Sequence, residues 1–155
     1  MSAEARLKEL QLELPLAPRS LGLYQPIVIV RGLAYLSGHG PVSGDGTAIC
    51  GRLGESLDVA AGYEAARRTA LCVLSTLRQQ CGSLDRVSRL VKTVGFVQST
   101  PTFTEHPAVV NGFSELMRDV FGQEIGVGAR CAVGVPSLPA GWAVEIDTIF
   151  AVDDG

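Results

Sequence analysis

The sequence has no excess of basic charge: 13 lysines and arginines stand against 16 aspartates and glutamates, for a net charge of −3. A chain without a broad positive field has little general attraction for a phosphate backbone, which counts against nucleic acid as its main partner. Histidine is scarce, and His39 and His106 lie far apart with no acidic or cysteine cluster at ligand spacing, so no metal site is expected. The four cysteines, Cys50, Cys72, Cys81 and Cys131, include no C-x-x-C pair and are expected to be reduced thiols. No long apolar run opens the chain either. Met1 to Leu14 carries charges of both signs around Leu7, Leu10 and Leu14 at helical spacing, which predicts a short N-terminal helix in a cytoplasmic protein and no membrane partner. A nucleotide loop is missing as well: Gly38-His39-Gly40-Pro41-Val42-Ser43 puts serine where G-x-G-x-x-G needs its last glycine. The run to Gly46 is expected to be a mobile surface loop.

What is present is a globular composition. With 155 residues, 46% hydrophobic and 19% charged, the chain has the size and apolar content of one domain. We expect an N-terminal extension over 1–19 and a single domain over 20–155. Ile27 to Val30 and Leu33 to Ser37 read as two strands of a hairpin turned at Arg31-Gly32. From Asp58 to Cys81, Val59, Tyr63, Ala66, Ala70, Val73, Leu77 and Cys81 recur every three or four positions and predict an amphipathic helix ended by Gly82. Ser88 to Gln98 reads as a strand, and Pro107 opens a second helix running through Val110, Phe113, Met117 and Phe121 to Gly122. Arg130 to Val135 and Trp142 to Val152 read as the last two strands. In the second, Trp142, Val144, Ile146, Thr148 and Phe150 point one way, and Glu145 and Asp147 the other.

This order predicts an α+β fold with two helices packed on one face of a β-sheet. The strands are too apolar for the other face to be simply wet, so assembly of copies through that face is expected.

The order of elements, Tyr35-Leu36-Ser37-Gly38-His39, Asn111 early in the second helix, and Ala129-Arg130-Cys131-Ala132-Val133 followed by Leu138-Pro139 and Val144-Glu145-Ile146 together resemble the YjgF/RidA family, also called L-PSP endoribonucleases. The resemblance implies a chorismate-mutase-like fold and a homotrimer with ligand clefts between subunits. It also implies hydrolytic deamination of reactive enamines and imines to 2-keto acids and ammonia, without a cofactor. By position, it makes Arg130 the holder of the substrate carboxylate and Glu145 the holder of the attacking water. Ser37, Gly38, Asn111 and Tyr24 become further substrate-binding residues. Cys131 is placed beside them at the ligand, with no chemistry assigned, because strand alternation turns it away from Arg130.

The residue types suit these tasks. Guanidinium offers a planar two-pronged donor to a carboxylate, and a part-buried carboxylate orients water or takes a proton. Three departures stand out. Tyr24 is followed by Gln25-Pro26 and not by Ser-Gln, His39 follows Ser37-Gly38 where the family carries glutamine, and Gly128 stands in a glycine run where a proline commonly precedes the arginine. Without the resemblance, Arg130 and Glu145 read first as an ion pair between adjacent strands. Three functions therefore stay open: an enamine/imine deaminase, a non-catalytic binder of small carboxylates or keto acids, and a ribonuclease.

Overall fold

A computed structural model of the protein describes residues 1–153; positions 154 and 155 of the expected domain lie outside the described residues. The chain opens with α1 (Ala3–Glu9), capped by the Ser2 hydroxyl, which accepts from the Ala5 N–H at 3.3 Å. Ala3 and Leu7 of this helix are buried in the same core as the sheet, and Leu12 and Leu14 pack against that core. The expected extension over 1–19 thus packs on the core at these four residues, while Leu16 and Arg19 are exposed.

β1 (Ile27–Val30) and β2 (Leu33–His39) form the predicted hairpin. Arg31 (φ 50°) and Gly32 (φ 73°) both take positive φ at its turn, the backbone that matches the natural twist of a two-residue hairpin. α2 (Val59–Cys81) starts where the Asp58 carboxylate accepts from the Ala61 N–H at 2.8 Å. It ends where Gly82 turns left-handed at φ 80° and bonds the Arg78 carbonyl. β3 (Val87–Gln98) follows, then α3 (His106–Gly126), which is broken at Gly122 (φ 84°, ψ 169°), the expected end of the helix, before one further turn. β4 (Ala129–Val135) and β5 (Val144–Val152) complete the chain. No helix among the described residues is long and apolar enough to cross a membrane.

The five strands lie in the order β1-β2-β5-β3-β4, with β4 parallel to β3 and the other pairs antiparallel. β5 therefore runs through the centre, bonded on both sides. From Val144 onward its pleat sorts the side chains as the alternation predicted: Val144, Ile146, Thr148 and Phe150 are buried, while Glu145, Asp147 and Ile149 are half-buried on the opposite face; Trp142, expected to begin the strand, lies before it at the end of a short turn. α2 and α3 cover the first face. Register across the sheet aligns Tyr35, Ile149 and Lys92 on the uncovered face, then Asp147 with Val94 and Cys131, then Glu145 with Phe96 and Val133. Val28, Tyr35 and Val133 leave large apolar side chains exposed there.

α2 is buried on more sides than its amphipathic stripe foretold, because α3, the N-terminal segment and the Val42 loop all pack on it. Cys72, off the stripe, is fully buried and donates to the Val42 carbonyl at 3.1 Å. Burial pushes its thiol up to about 11, so it stays an inert thiol.

The helices touch backbone to backbone at Gly112, where a Cβ would lie 2.0 Å from the Tyr63 carbonyl oxygen. Gly112→Ala gains at most about 1 kcal/mol in helix propensity, against an overpacking cost of about 1–3 kcal/mol that a rigid backbone contact puts at its upper end. We expect a net loss of about 2 kcal/mol by the same accounting in urea unfolding. Unchanged stability would show that the helices separate freely.

Candidate functional site

Two groups of the sequence-predicted site residues come together, at different places. The first group is built where β2 ends beside the start of β5. Leu36 pairs with Thr148 and His39 with Ile146, so β2 carries one residue more than β5 across this stretch, a bulge. The bulge sets Gly38 against the Glu145 side chain so closely that a Cβ on Gly38 would lie 2.1 Å from Glu145 Oε1. A side chain on Gly38 would push the Glu145 carboxylate aside, because the carboxylate rests on bare backbone.

Tyr24 reaches the same place from the N-terminal segment, with its hydroxyl accepting from the Leu21 N–H at 3.1 Å. The Ser37 hydroxyl donates to the Gln25 carbonyl at 2.7 Å and ties that segment to β2. Tyr24, Ser37, Gly38 and Glu145 thus line one cleft of about 410 Å³, with Trp142 and Pro139 opposite. Burial raises the pKa of Glu145 above the ordinary value, and the charge of Asp147, two residues along the same face, raises it further. A carboxyl group so placed takes and returns a proton more readily near neutral pH.

His39 corrects the loop expectation. It is buried, 5% exposed, at the end of β2. Its Nδ1 lies 2.7 Å from the Ser37 carbonyl and its Nε2 lies 2.8 Å from the Thr76 hydroxyl. A carbonyl only accepts, so Nδ1 carries the proton and Nε2 accepts from Thr76. Burial lowers the imidazole pKa, keeping the ring neutral as a brace between β2 and α2. Gly40 and Pro41 are buried too, so the first half of the glycine run is packed structure.

The second group surrounds Arg130. Its Nη1 donates to Asn111 Oδ1 at 2.8 Å and to Ser114 Oγ at 3.1 Å, and its Nη2 to the Pro107 carbonyl at 3.4 Å. All three acceptors are neutral, and no acidic side chain pairs with this guanidinium among the described residues. The charge is oriented, with no carboxylate in contact, over a cavity of about 330 Å³ that Glu115 and Arg118 also line. The preceding glycines are closely packed: a Cβ on Gly128 would lie 2.4 Å from the Leu90 carbonyl oxygen, which seats β4 firmly.

The two groups do not meet within one chain. β3 lies between β4 and β5. Arg130 aligns with Thr93 and Thr148 on the helix face, whereas Glu145 aligns with Phe96 and Val133 on the uncovered face. The ion-pair reading fails on both counts. Cys131 is exposed beside Val94 on the uncovered face, apart from Arg130 as alternation required and outside the Glu145 cleft as well. Sequence reasoning missed Ser114, although its place three residues after Asn111 on one helix face was a usable signal. It also missed Trp142 as a wall of the cleft, which no local pattern announces.

The chain matches the model of the YjgF/chorismate mutase-like family, which also carries an endoribonuclease label, over residues 4–150. It is 43% identical over 150 residues to protein TCP17 of Trypanosoma cruzi, covering 97% of this chain and 94% of that protein. Protein Atu1372 of Agrobacterium tumefaciens has the same fold at TM-score 0.88 and 39% identity, covering 97% of this chain and 94% of that one. The Rid family protein YyfA of Yersinia pestis follows at TM-score 0.63 and 28% identity, covering 88% and 93%.

Replacing Asp147 by asparagine removes the like charge beside Glu145, so the Glu145 carboxyl is expected to titrate at lower pH. Carbon-detected NMR of the labelled side chain measures this. An unmoved midpoint would leave burial as the whole cause of the shift.

Proposed function

Because this chain belongs to the YjgF/chorismate mutase-like family, we propose that it hydrolyses reactive imines, and the enamines that tautomerise to them, to 2-keto acids and ammonia. The observation that carries this reading is a pair of uncommitted groups. Arg130 is an oriented cation without an acidic partner. Glu145 is a carboxylate of raised proton affinity in an open cleft.

Arg130 would hold the substrate carboxylate in a two-pronged contact. Glu145 would accept a proton from water as the water oxygen bonds to the imine carbon and the C=N π pair moves to nitrogen, and would pass that proton to the nitrogen. The resulting carbinolamine collapses as Glu145 takes the hydroxyl proton, the C=O forms and the C–N bond breaks. Glu145 returns this second proton to the departing nitrogen, giving one keto acid and one ammonia per imine and water. No cofactor enters this balance.

The opposite faces of Arg130 and Glu145 bear on assembly. One substrate is served by both only if the arginine of one copy stands near the cleft of another. That agrees with the apolar uncovered face and with the homotrimer implied by the family resemblance. Sedimentation at micromolar concentration is expected to give three chains per particle; a monomer would remove the basis for a shared site.

The direct test generates 2-iminobutanoate with threonine dehydratase, traps it with semicarbazide, and follows keto-acid release with and without the protein. Acceleration is expected in the wild type and absent in Arg130→Ala, with Glu145→Gln reduced by about 10²- to 10⁴-fold. The reaction needs ionised Glu145, and its pKa is raised. Activity should therefore fall, as pH drops, at a pH above the ordinary glutamate range, and Asp147→Asn should move that limb down. No acceleration by the folded assembly, with saturable keto-acid binding, would make the protein a binder of small carboxylates.

A further inference from the structure

A second chamber adjoins the Glu145 cleft. Leu21, Tyr24, Ser37, Gly38 and Trp142 border both, and the inner chamber, about 210 Å³, runs on between the N-terminal segment and the end of β2. Below the roughly 300–1,000 Å³ of a whole-ligand pocket, it is sized for part of a ligand. Its walls are apolar: Pro18, Leu21, Pro26, Val42 and the rings of Tyr24 and Trp142.

Of the polar side chains in its lining, Ser37 and His39 are already committed, which leaves the hydroxyls of Ser20 and Tyr24. The Ser37 hydroxyl donates to the Gln25 carbonyl, and both ring nitrogens of His39 are bonded to Ser37 and Thr76. The one charged residue of the lining, Arg19, is exposed and remains in water. A polar substrate side chain entering here would lose its water for at most the Ser20 and Tyr24 hydroxyls at the wall, whereas an apolar one loses nothing. Trp142 is held in place from behind: it is 8% exposed, and a Cβ on Gly40 would lie 2.4 Å from its ring.

Resting on the reading of Glu145 as the water-holding group, we propose that the preferred substrates are 2-imino acids with a bulky apolar side chain, of the leucine, methionine or phenylalanine class, seated in this chamber. With the side chain in the inner chamber and the imine carbon at Glu145, the substrate carboxylate is left at the open mouth of the cleft, where a second copy would have to bring its arginine.

The test compares imines formed in situ by an L-amino-acid oxidase from leucine, phenylalanine and alanine. A filled apolar pocket discriminates by at least about 10-fold per methylene. The kcat/KM for the leucine imine should therefore exceed that for the alanine imine by more than about 10-fold. Val42→Phe, which fills the chamber, should reverse the order. Equal rates in the wild type, or a preference that Val42→Phe leaves intact, overturn the assignment while deamination itself stands.

If no imine is turned over, the deaminase reading has failed, and calorimetric titration of the wild-type protein judges the chamber by itself. Binding of 4-methyl-2-oxopentanoate more than about 10-fold tighter than pyruvate upholds the apolar class, and equal or absent binding overturns it. The wild-type comparisons decide the matter even if Val42→Phe does not fold.

Discussion

The pleat of β5 is the constraint on which the rest depends. This strand is bonded on both sides in the middle of the sheet, so each of its residues is committed to one face or the other. Val144, Ile146, Thr148 and Phe150 go to the helices and form the floor of the core. Glu145 and Asp147 are thereby forced to the opposite face, where only partial burial awaits them. A slip of one residue would put two carboxylates under α2 and α3 at a desolvation cost that no partner offsets. The register that secures the core also sets the carboxylates where they can titrate.

Close backbone contact positions the chemistry at several points. Gly38 lets the Glu145 carboxylate lie directly on β2, and Gly128 lets the chain run against β3 before Arg130 is presented. Asn111 and Ser114, one turn apart on α3, then aim the guanidinium with neutral acceptors. An acidic residue in either position would have neutralised the charge in a structural ion pair.

The two faces of the sheet carry opposite charges at the candidate site residues. The helix side has the cation and the uncovered side has the carboxylate, with β3 between them. The N-terminal segment, pinned by the Ser37 to Gln25 bond and by Leu12 and Leu14 on the core, then becomes a wall of the cleft and decides what shape it admits.

The sequence by itself determined the elements and their faces. The periodicity of α2, its Asp58 and Gly82 caps, the Arg31-Gly32 turn and the alternation of β5 are local rules of backbone geometry and apolar spacing, and they are legible in any chain that obeys them. The motif around Arg130 and Glu145 was legible for the same reason, since both sit at readable places on strands. Tertiary structure alone decided what those residues meet. Strand order placed β3 between Arg130 and Glu145 and put them on opposite faces, a fact carried by no stretch of sequence, because pairing is chosen by the packing of the whole sheet. Packing from several sides buried Cys72 and His39, which one helix stripe and one glycine-rich run had left outside. Trp142 became a wall of the cleft only when the loop before β5 folded beside the end of β2, bringing together residues more than a hundred positions apart.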